Sequence, residues 1–434
     1  REFLQAQGKF FDLIDIPPLD SFSAASAGVY ALNESYLYTT EALGIYLNHL
    51  MPQGILSITR WIKTPPRDEL KLFATMTVAA ERKGIREPQN HIAVIRSWNT
   101  VTLLLSRSPW SETQIQSLRV FLSERGFDAV YFPGMRPEER NRFVILDDPV
   151  YDPMIPGLLG SDRKRFYRDY LFDIRPATDD RPYFFHFFKW QSLPRLLKGM
   201  GTEWVPFVEW GYLTLLATFF QALPASLLIV LAPLFFRKPD EPMSSLPVFP
   251  VFFYFSGIGF GYMFLEIAFI QKFMLFLAYP IYAVAVVLTS FLIFSGAGSY
   301  FADCYKGRKR VLVIRAVCFL AVLSAVYLAV LPKVFEFWIG WPRELKTVAS
   351  IFLLAPLAFW MGVPFPCGMQ TLSDRSQACV PWAWAINGCA SVLGAILAAL
   401  VAVHAGFGTV VFLAAGMYAL ALAGFLFLDQ LKTP

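Results

Sequence analysis

The chain has 434 residues, of which 56% are hydrophobic and 16% charged, and its formal net charge is +5. A positive charge this small and scattered argues against nucleic-acid binding. None of the five cysteines forms a Cys-x-x-Cys pair, so the sequence indicates neither a disulfide framework nor a zinc site, and we expect no bound metal.

Charges are distributed in two blocks along the chain. Most fall before residue 200, whereas the stretch from Pro247 to Ala302 carries only Glu266 and Lys272. The stretch from Trp382 to Leu428 has no Asp, Glu, Lys or Arg. Such apolar stretches suit a bilayer, since one span needs about 20 apolar residues. The sequence therefore predicts an integral membrane protein with a soluble part.

Three segments follow from this distribution. We predict an α/β domain at 1–130, a connecting segment at 131–204 and an all-α polytopic membrane bundle of six or seven spans at 205–434. The chain starts at Arg1 without Met or a signal peptide. We therefore expect it to be a fragment whose N-terminal part is absent.

Apolar runs and helical patterns alternate in the soluble block. In chain order they predict a strand at 10–16, a helix at 36–50, a strand at 55–61, a helix at 67–83, strands at 91–96 and 100–106, and a helix at 111–125. This order is that of the second half of a doubly wound, Rossmann-like α/β domain, in which ligands bind at the carboxyl ends of parallel strands.

Three stretches of this block carry a family resemblance: Phe11 to Ile14, Leu37 to Leu43, and Leu50 to Leu56. They resemble the spermidine synthase (aminopropyltransferase) family over roughly residues 9–130, the C-terminal half of its methyltransferase-type catalytic domain. That family moves an aminopropyl group from decarboxylated S-adenosylmethionine to a diamine. The resemblance thus implies decarboxylated S-adenosylmethionine or S-adenosylmethionine as cofactor, and a cationic substrate such as a polyamine. The family's glycine-rich nucleotide loop would lie before Arg1.

The candidate catalytic residues follow the first strand. The family has Asp-x-x-Asp there, and its first carboxylate is catalytic because the attacking amine arrives as a cation. The match places Pro17 at that position and retains only the second carboxylate, Asp20. Asp15 substitutes if the strand register differs, but we expect Asp20 to matter more for amine binding. In the alternative interpretation both are turn and cap residues.

Further site residues come from the same resemblance. It implies substrate contacts by Tyr38, Glu41 and Trp98, although Trp98-Asn99-Thr100 replaces the family's Tyr-Pro-Ser-Gly tip. The stretch Thr178 to His186 is similar to one in bacterial membrane proteins that carry a spermidine synthase-like domain. Its adjacent carboxylates either hold an ammonium group, or Thr178 caps a turn, Arg181 pairs with an Asp and the aromatic residues lie at the membrane interface.

The membrane block contains seven candidate segments. They are 206–236, 247–278, 280–303, 311–331, 346–370, 382–403 and 408–428. Pro224 interrupts the first of them, and Pro364 breaks the fifth near its end.

A basic loop follows the third segment. Gly298, Asp303, Gly307 and the run Arg308, Lys309 and Arg310 resemble a cytoplasmic loop of major facilitator transporters, with both spacings one residue longer. The positive-inside rule also predicts a cytoplasmic loop. We expect Asp303 to pair with Arg308 and hold two helices together. In the alternative interpretation the pattern is that of any tight membrane turn.

Four polar residues of the predicted spans are candidates for a binding or packing role. Glu266, Gln271 and Lys272 either line one cavity for a cationic ligand, or Lys272 reaches the interface and Glu266 meets a partner helix. Asn387 belongs to a face of small residues, which favours a hydrogen bond in close helix packing.

We expect a multi-pass protein of the bacterial inner membrane. A nucleotide-type cofactor places the soluble domain in the cytoplasm, which requires 206–236 to be kinked or re-entrant at Pro224. The leading hypothesis is a membrane-bound spermidine synthase-like protein, in which Pro17 puts transfer in question. The alternatives are a polyamine or small-molecule transporter with a ligand-binding α/β domain, and a methyltransferase-like enzyme that uses S-adenosylmethionine.

Overall fold

The computed structural model describes residues 1–19, 29–145, 151, 154–160, 162–200, 209–235, 248–375 and 377–430. The chain forms two compact units, Arg1–Thr214 and Leu215–Pro434. Asp20 lies outside the described residues.

A mixed five-stranded sheet forms the centre of the first unit. Its strands are β1 (Phe11–Ile16), β2 (Leu50–Trp61), β3 (Ile92–Arg96), β4 (Thr100–Ser106) and β5 (Asp128–Tyr131), in the order β1-β2-β4-β3-β5. β1 and β2 are parallel, whereas β4 is antiparallel to both β2 and β3, and β5 is antiparallel to β3. β3 therefore runs in the same direction as β1 and β2.

Short helices surround this sheet. They are α1 (Glu2–Gln7), α2 (Thr40–Asn48), α3 (Asp68–Arg82), α4 (Glu112–Arg125), α5 (Met154–Leu159), α6 (Arg163–Asp169) and α7 (Leu193–Met200). Ser111 caps α4, because its hydroxyl accepts from the backbone N–H of Gln114, whose side chain in turn accepts from the Ser111 N–H.

The segment predicted as a connection contributes to the core of the first unit. Phe172, Ile174, Phe184 and Phe187 are all buried there, in the same cluster as strand residues such as Leu103. The first unit accordingly extends to Thr214, well past the predicted α/β boundary at 130.

The C-terminal region is helical. Its helices are α8 (Trp210–Phe235), α9 (Val248–Leu277), α10 (Pro280–Cys304), α11 (Lys309–Trp338), α12 (Arg343–Gly362), α13 (Pro364–Ser373), α14 (Val380–Ala405) and α15 (Phe407–Gln430). Seven stretches of the described chain are long and apolar enough to cross a bilayer, with α12 and α13 counted as one. The prediction of a multi-pass membrane protein is confirmed.

The first span differs from its prediction. We expected a kinked or re-entrant segment at Pro224, but α8 is one helix from Trp210 to Phe235. At about 1.5 Å per residue it is long enough to cross a bilayer. Pro364 does interrupt the fifth segment, because α12 ends at Gly362 and α13 begins at Pro364.

Glycines allow the helices of the bundle to approach closely. α9 packs against both α14 and α15. A Cβ on Gly259 would lie 2.7 Å from the carbonyl oxygen of Asn387, and one on Gly257 would lie 2.6 Å from that of Met417. The backbones are thus in contact, as is usual where small residues drive helix association in membranes.

Candidate functional site

The parallel strands of the first unit end at one edge of the sheet. Ile16 of β1 pairs with Ile58 of β2, and β2 continues to Trp61. β3 runs in the same direction and ends at Arg96. We call this edge, where β1, β2 and β3 end, the carboxyl edge. It is the position at which α/β sheets bind ligands.

Asp15 is the described candidate carboxylate at the carboxyl edge. It lies opposite Ser57, one residue before the end of β1, and its side chain is exposed. Pro17 follows it and is also exposed. A proline offers neither a carboxylate nor a backbone N–H at the position where the family has its catalytic Asp.

Trp98 lies in the turn between β3 and β4, also at the carboxyl edge. Its side chain is 76% exposed, so its ring faces are open to a ligand. The turn is held by the Ser97 hydroxyl, which lies 2.8 Å from the Thr100 hydroxyl. The backbone N–H of Ile62 donates to the Asn99 carbonyl at 2.9 Å and ties the turn to the end of β2.

The Tyr38 side chain is 2% exposed and packs near the end of β2. Its ring lies 4.8 Å from that of Phe184, and its hydroxyl accepts from Arg60 Nη1 at 3.3 Å. Arg60 is the penultimate residue of β2. The structure thus encloses Tyr38 and gives it a packing role in place of the predicted substrate contact.

Glu41 lies in the first turn of α2, and both its carboxylate oxygens have partners. One accepts from Arg82 at 2.7 Å, and the other accepts from the backbone N–H of Asp179 at 2.9 Å. The Asp179 carboxylate in turn accepts from Arg1 at 2.8 Å and from the Thr39 hydroxyl at 2.6 Å. These bonds fasten the segment around Asp179 to α2 and leave Asp179 paired with a guanidinium.

The remainder of this segment fits the capping interpretation. The Thr178 hydroxyl accepts from the backbone N–H of Arg181, and the Arg181 side chain donates to Asp173 at 3.2 Å. Burial alone would raise the pKa of Asp173, but the hydrogen bond from Arg175 and the charges of Lys71 and Arg181 hold it well below its usual range. The expected interfacial position of the aromatic residues is wrong for Phe184, which is buried in the core.

A buried ionic cluster at the start of α3 escaped the sequence analysis. Asp68 accepts from Arg60 at 3.2 Å and from Lys63 at 2.9 Å, and the side chains of Arg60 and Asp68 have no exposed surface. Those charges outweigh the effect of burial and lower the pKa of Asp68. The alternation of apolar and polar residues along β2 was the available signal for this cluster, because Arg60 occupies the same buried face as Ile58 and Leu56.

Two further ionisable groups are enclosed nearby. Lys71 donates to the carbonyl oxygens of Tyr183 at 3.1 Å and His186 at 2.7 Å, and burial lowers its pKa to about 7. Burial also raises the pKa of Glu69 to about 7, while Tyr151 donates to its carboxyl group at 2.8 Å. Their donors and acceptors lie within the fold, so we assign them a structural role.

The polar residues of α9 do not share one face of the helix. α9 is continuous, so at 3.6 residues per turn Gln271 is about 140° and Lys272 about 120° around the axis from Glu266. Tyr262, four residues earlier, lies on the same face as Glu266. Tyr262 lies beside Ser295 of α10, and its ring meets the Phe291 ring edge-on, with the centroids 6.0 Å apart.

Asn387 and the basic loop contact neighbouring helices. Asn387 lies where α14 meets Gly259, and its carbonyl also accepts from the Ser391 hydroxyl at 2.9 Å. The expected pair of Asp303 with Arg308 is wrong. Asp303 accepts instead from Gln370 of α13 at 2.6 Å, because the end of α13 passes beside the end of α10.

Other residues of the loop motif pair across the same end of the bundle. Lys309 lies 3.6 Å from Asp374, and Arg310 lies 4.0 Å from Asp429 of α15. Gly298 packs against the backbone of Phe359, which leaves no room for a side chain. Gly307 lies in the turn that joins α10 to α11.

No protein-family model, curated protein or solved structure matches the chain. The carboxyl edge and the region of α9 around Glu266 are the two candidate functional sites.

Proposed function

We propose that this protein is a membrane-bound, spermidine synthase-like protein whose first unit (Arg1–Thr214, the soluble unit) binds a cationic amine at the carboxyl edge. One observation carries the proposal: β1, β2 and β3 run in the same direction, so their C-terminal ends lie at the same end of the sheet, and the exposed Asp15 carboxylate lies next to the end of β1. The order of strands and helices along the chain supports it, since it follows the second half of a doubly wound domain.

The chemistry of the exposed groups favours an amine. A carboxylate attracts an ammonium group, and an indole ring binds a cation over its face. Asp15 and Trp98 supply these two groups at the carboxyl edge, and both are exposed. Tyr38 packs beside Arg60 near the end of β2, and Glu41 accepts a hydrogen bond from the backbone of Asp179. A polyamine, with several positive charges separated by methylene groups, matches this combination.

Aminopropyl transfer is a separate matter. Pro17 occupies the position of the family's catalytic carboxylate, so the described residues do not fit transfer from decarboxylated S-adenosylmethionine, and we derive no transfer step. The cofactor and the location in a bacterial inner membrane, with the soluble unit in the cytoplasm, remain predictions. Amine binding needs neither the cofactor nor a catalytic base.

Calorimetry with spermidine on the full chain in lipid nanodiscs tests the proposal. Asp15→Asn is expected to weaken binding about tenfold, roughly 1.4 kcal/mol, because an amide carries no charge. Asp20→Asn is expected to weaken it more, since Asp20 is the carboxylate that the family match retains. Asp12→Asn is the matched control, because Asp12 is exposed on the same strand but lies farther from the carboxyl edge. Absence of spermidine binding, or equal effects of all three changes, would contradict the proposal.

A further inference from the structure

Glu266 is a carboxyl group deep within a membrane helix. α9 runs from Val248 to Leu277, so Glu266 lies about 27 Å from one end of the helix and about 16 Å from the other. The hydrocarbon core of a bilayer is about 30 Å thick, and water does not reach its centre. Glu266 is half-buried against the neighbouring helices.

The groups near Glu266 on its own face of α9 are aromatic or neutral, and the buried Lys346 of α12 lies over Phe276, about 15 Å farther along α9. On its own face of α9 lies Tyr262, which contacts Ser295 and Phe291 of α10. From α15 the titratable group near Tyr262 is Tyr418, whose ring packs on Gly261. From Trp382 onward α14 carries no Asp, Glu, Lys or Arg. Among the described residues, none forms a hydrogen bond or ion pair with the Glu266 carboxyl group.

An ionised carboxylate in such surroundings is strongly unfavourable unless a cation neutralises it. The group therefore has two favourable states: a neutral carboxylic acid, or a carboxylate paired with a bound cation. Because it supplies a single negative charge, it neutralises one positive charge. Its aromatic surroundings favour a cation with an apolar body, and a polyamine, with several charges, does not fit.

We propose that Glu266 and Tyr262 form a binding site for lipophilic monovalent organic cations, at which cation binding displaces the carboxyl proton. The O–H bond of the carboxylic acid breaks, the proton leaves to water, and the carboxylate pairs with the cation. Charge in the membrane is unchanged by this exchange. The Tyr262 ring contributes through its face, as aromatic rings do toward organic cations. The site is independent of amine binding by the soluble unit.

Proton release on addition of tetraphenylphosphonium tests the site. This cation carries no exchangeable proton, so any proton released in weakly buffered solution comes from the protein. The full chain in detergent is expected to release one proton for each cation bound, and Glu266→Gln is expected to bind at least tenfold more weakly and release none. Glu336→Gln is the matched control, since Glu336 is an exposed glutamate of the membrane helix α11. Unaltered release by Glu266→Gln, or no binding by the native chain, would overturn the proposal.

A second measurement uses the native chain, so it does not depend on folding of a variant. A hydrophobic carbodiimide reacts with protonated carboxyl groups in apolar surroundings. It is expected to modify Glu266, as read by mass spectrometry of the peptide, and tetraphenylphosphonium is expected to suppress that modification at least severalfold. Modification that is absent, or that the cation leaves unchanged, would contradict the proposed site. Either result is independent of spermidine binding, because spermidine is not in the assay.

Discussion

The two units place buried charge in different settings. In the soluble unit Asp68 lies between Arg60 and Lys63, and all three side chains are almost fully enclosed. In the membrane unit Glu266 has no hydrogen-bonding or ionic partner among the described residues. A buried charge with matched partners is part of the architecture, whereas one without them is available to a ligand. The contrast separates structural from functional residues on physical grounds.

The units also differ in what holds them together. The soluble unit combines an apolar core with ionic pairs that join distant segments, such as Arg1 with Asp179. The membrane unit also relies on close backbone approach, because helices in lipid gain nothing from hydrophobic burial against each other. Gly298 illustrates this: a Cβ there would lie 1.9 Å from the carbonyl oxygen of Phe359.

The largest effect is expected from removal of the buried carboxylate in the soluble unit. Asp68→Ala leaves Arg60 and Lys63 without their shared partner and should lower the free energy of unfolding by about 3–5 kcal/mol. The measurement is hydrogen exchange of α3 in the full chain. Glu81→Ala is the control, because Glu81 pairs with Arg163 at the surface and such pairs contribute about 0–1 kcal/mol. Equal losses of unfolding free energy in both variants would show that the buried and the exposed ion pairs contribute alike to stability.

A smaller effect is expected from adding a methyl group at a close helix contact in the bundle. Gly368→Ala should cost about 1–3 kcal/mol, because the new methyl group overlaps the Tyr254 ring, which is enclosed and cannot move aside. Thermal unfolding in detergent measures this. Gly388→Ala is the control, since a Cβ at Gly388 meets nothing within 4 Å. A control as unstable as Gly368→Ala would show that helix packing does not depend on this approach.

Much of the fold is predictable from the sequence, for identifiable reasons. β4 was predicted at its exact limits, because a strong period-two pattern is bounded by turn residues. All seven membrane segments were found, since charges are sparse in them. β5, from Asp128 to Tyr131, was missed because four residues are too few to establish a period.

The candidate site was less predictable, because it depends on contacts between distant segments. Asp179 and Glu41 are far apart in sequence, and nothing in either segment indicates that they bond. Tyr38 matched the family pattern, but its enclosure depends on Phe184, which the predicted connecting segment supplies. The position of Glu266 is evident from the sequence, since a carboxylate in an apolar stretch is itself a signal, whereas its role stays a prediction.

The third expected effect concerns pH. The pKa of Lys71 falls to about 7 in the fold, whereas an unfolded lysine titrates near its ordinary pKa of 10.5. Between these values the unfolded chain binds the extra proton, so Lys71 makes stability rise with pH, by at most about 1.4 kcal/mol per pH unit. Lys71→Met should lose this rise between pH 7 and 9, as measured by denaturant unfolding. Parallel pH profiles for the native and variant chains would exclude a neutral Lys71.

Thermal unfolding of the full chain, with and without tetraphenylphosphonium, tests most directly whether a buried charge with partners is structural and one without partners is functional. We expect Asp68→Asn to lower the unfolding temperature of the soluble unit and to leave stabilisation of the bundle by the cation intact. Glu266→Gln should leave the unfolding temperature unchanged or raise it, and should abolish stabilisation by the cation. A Glu266→Gln protein that unfolds earlier than the native chain, yet is still stabilised by the cation, would contradict the account.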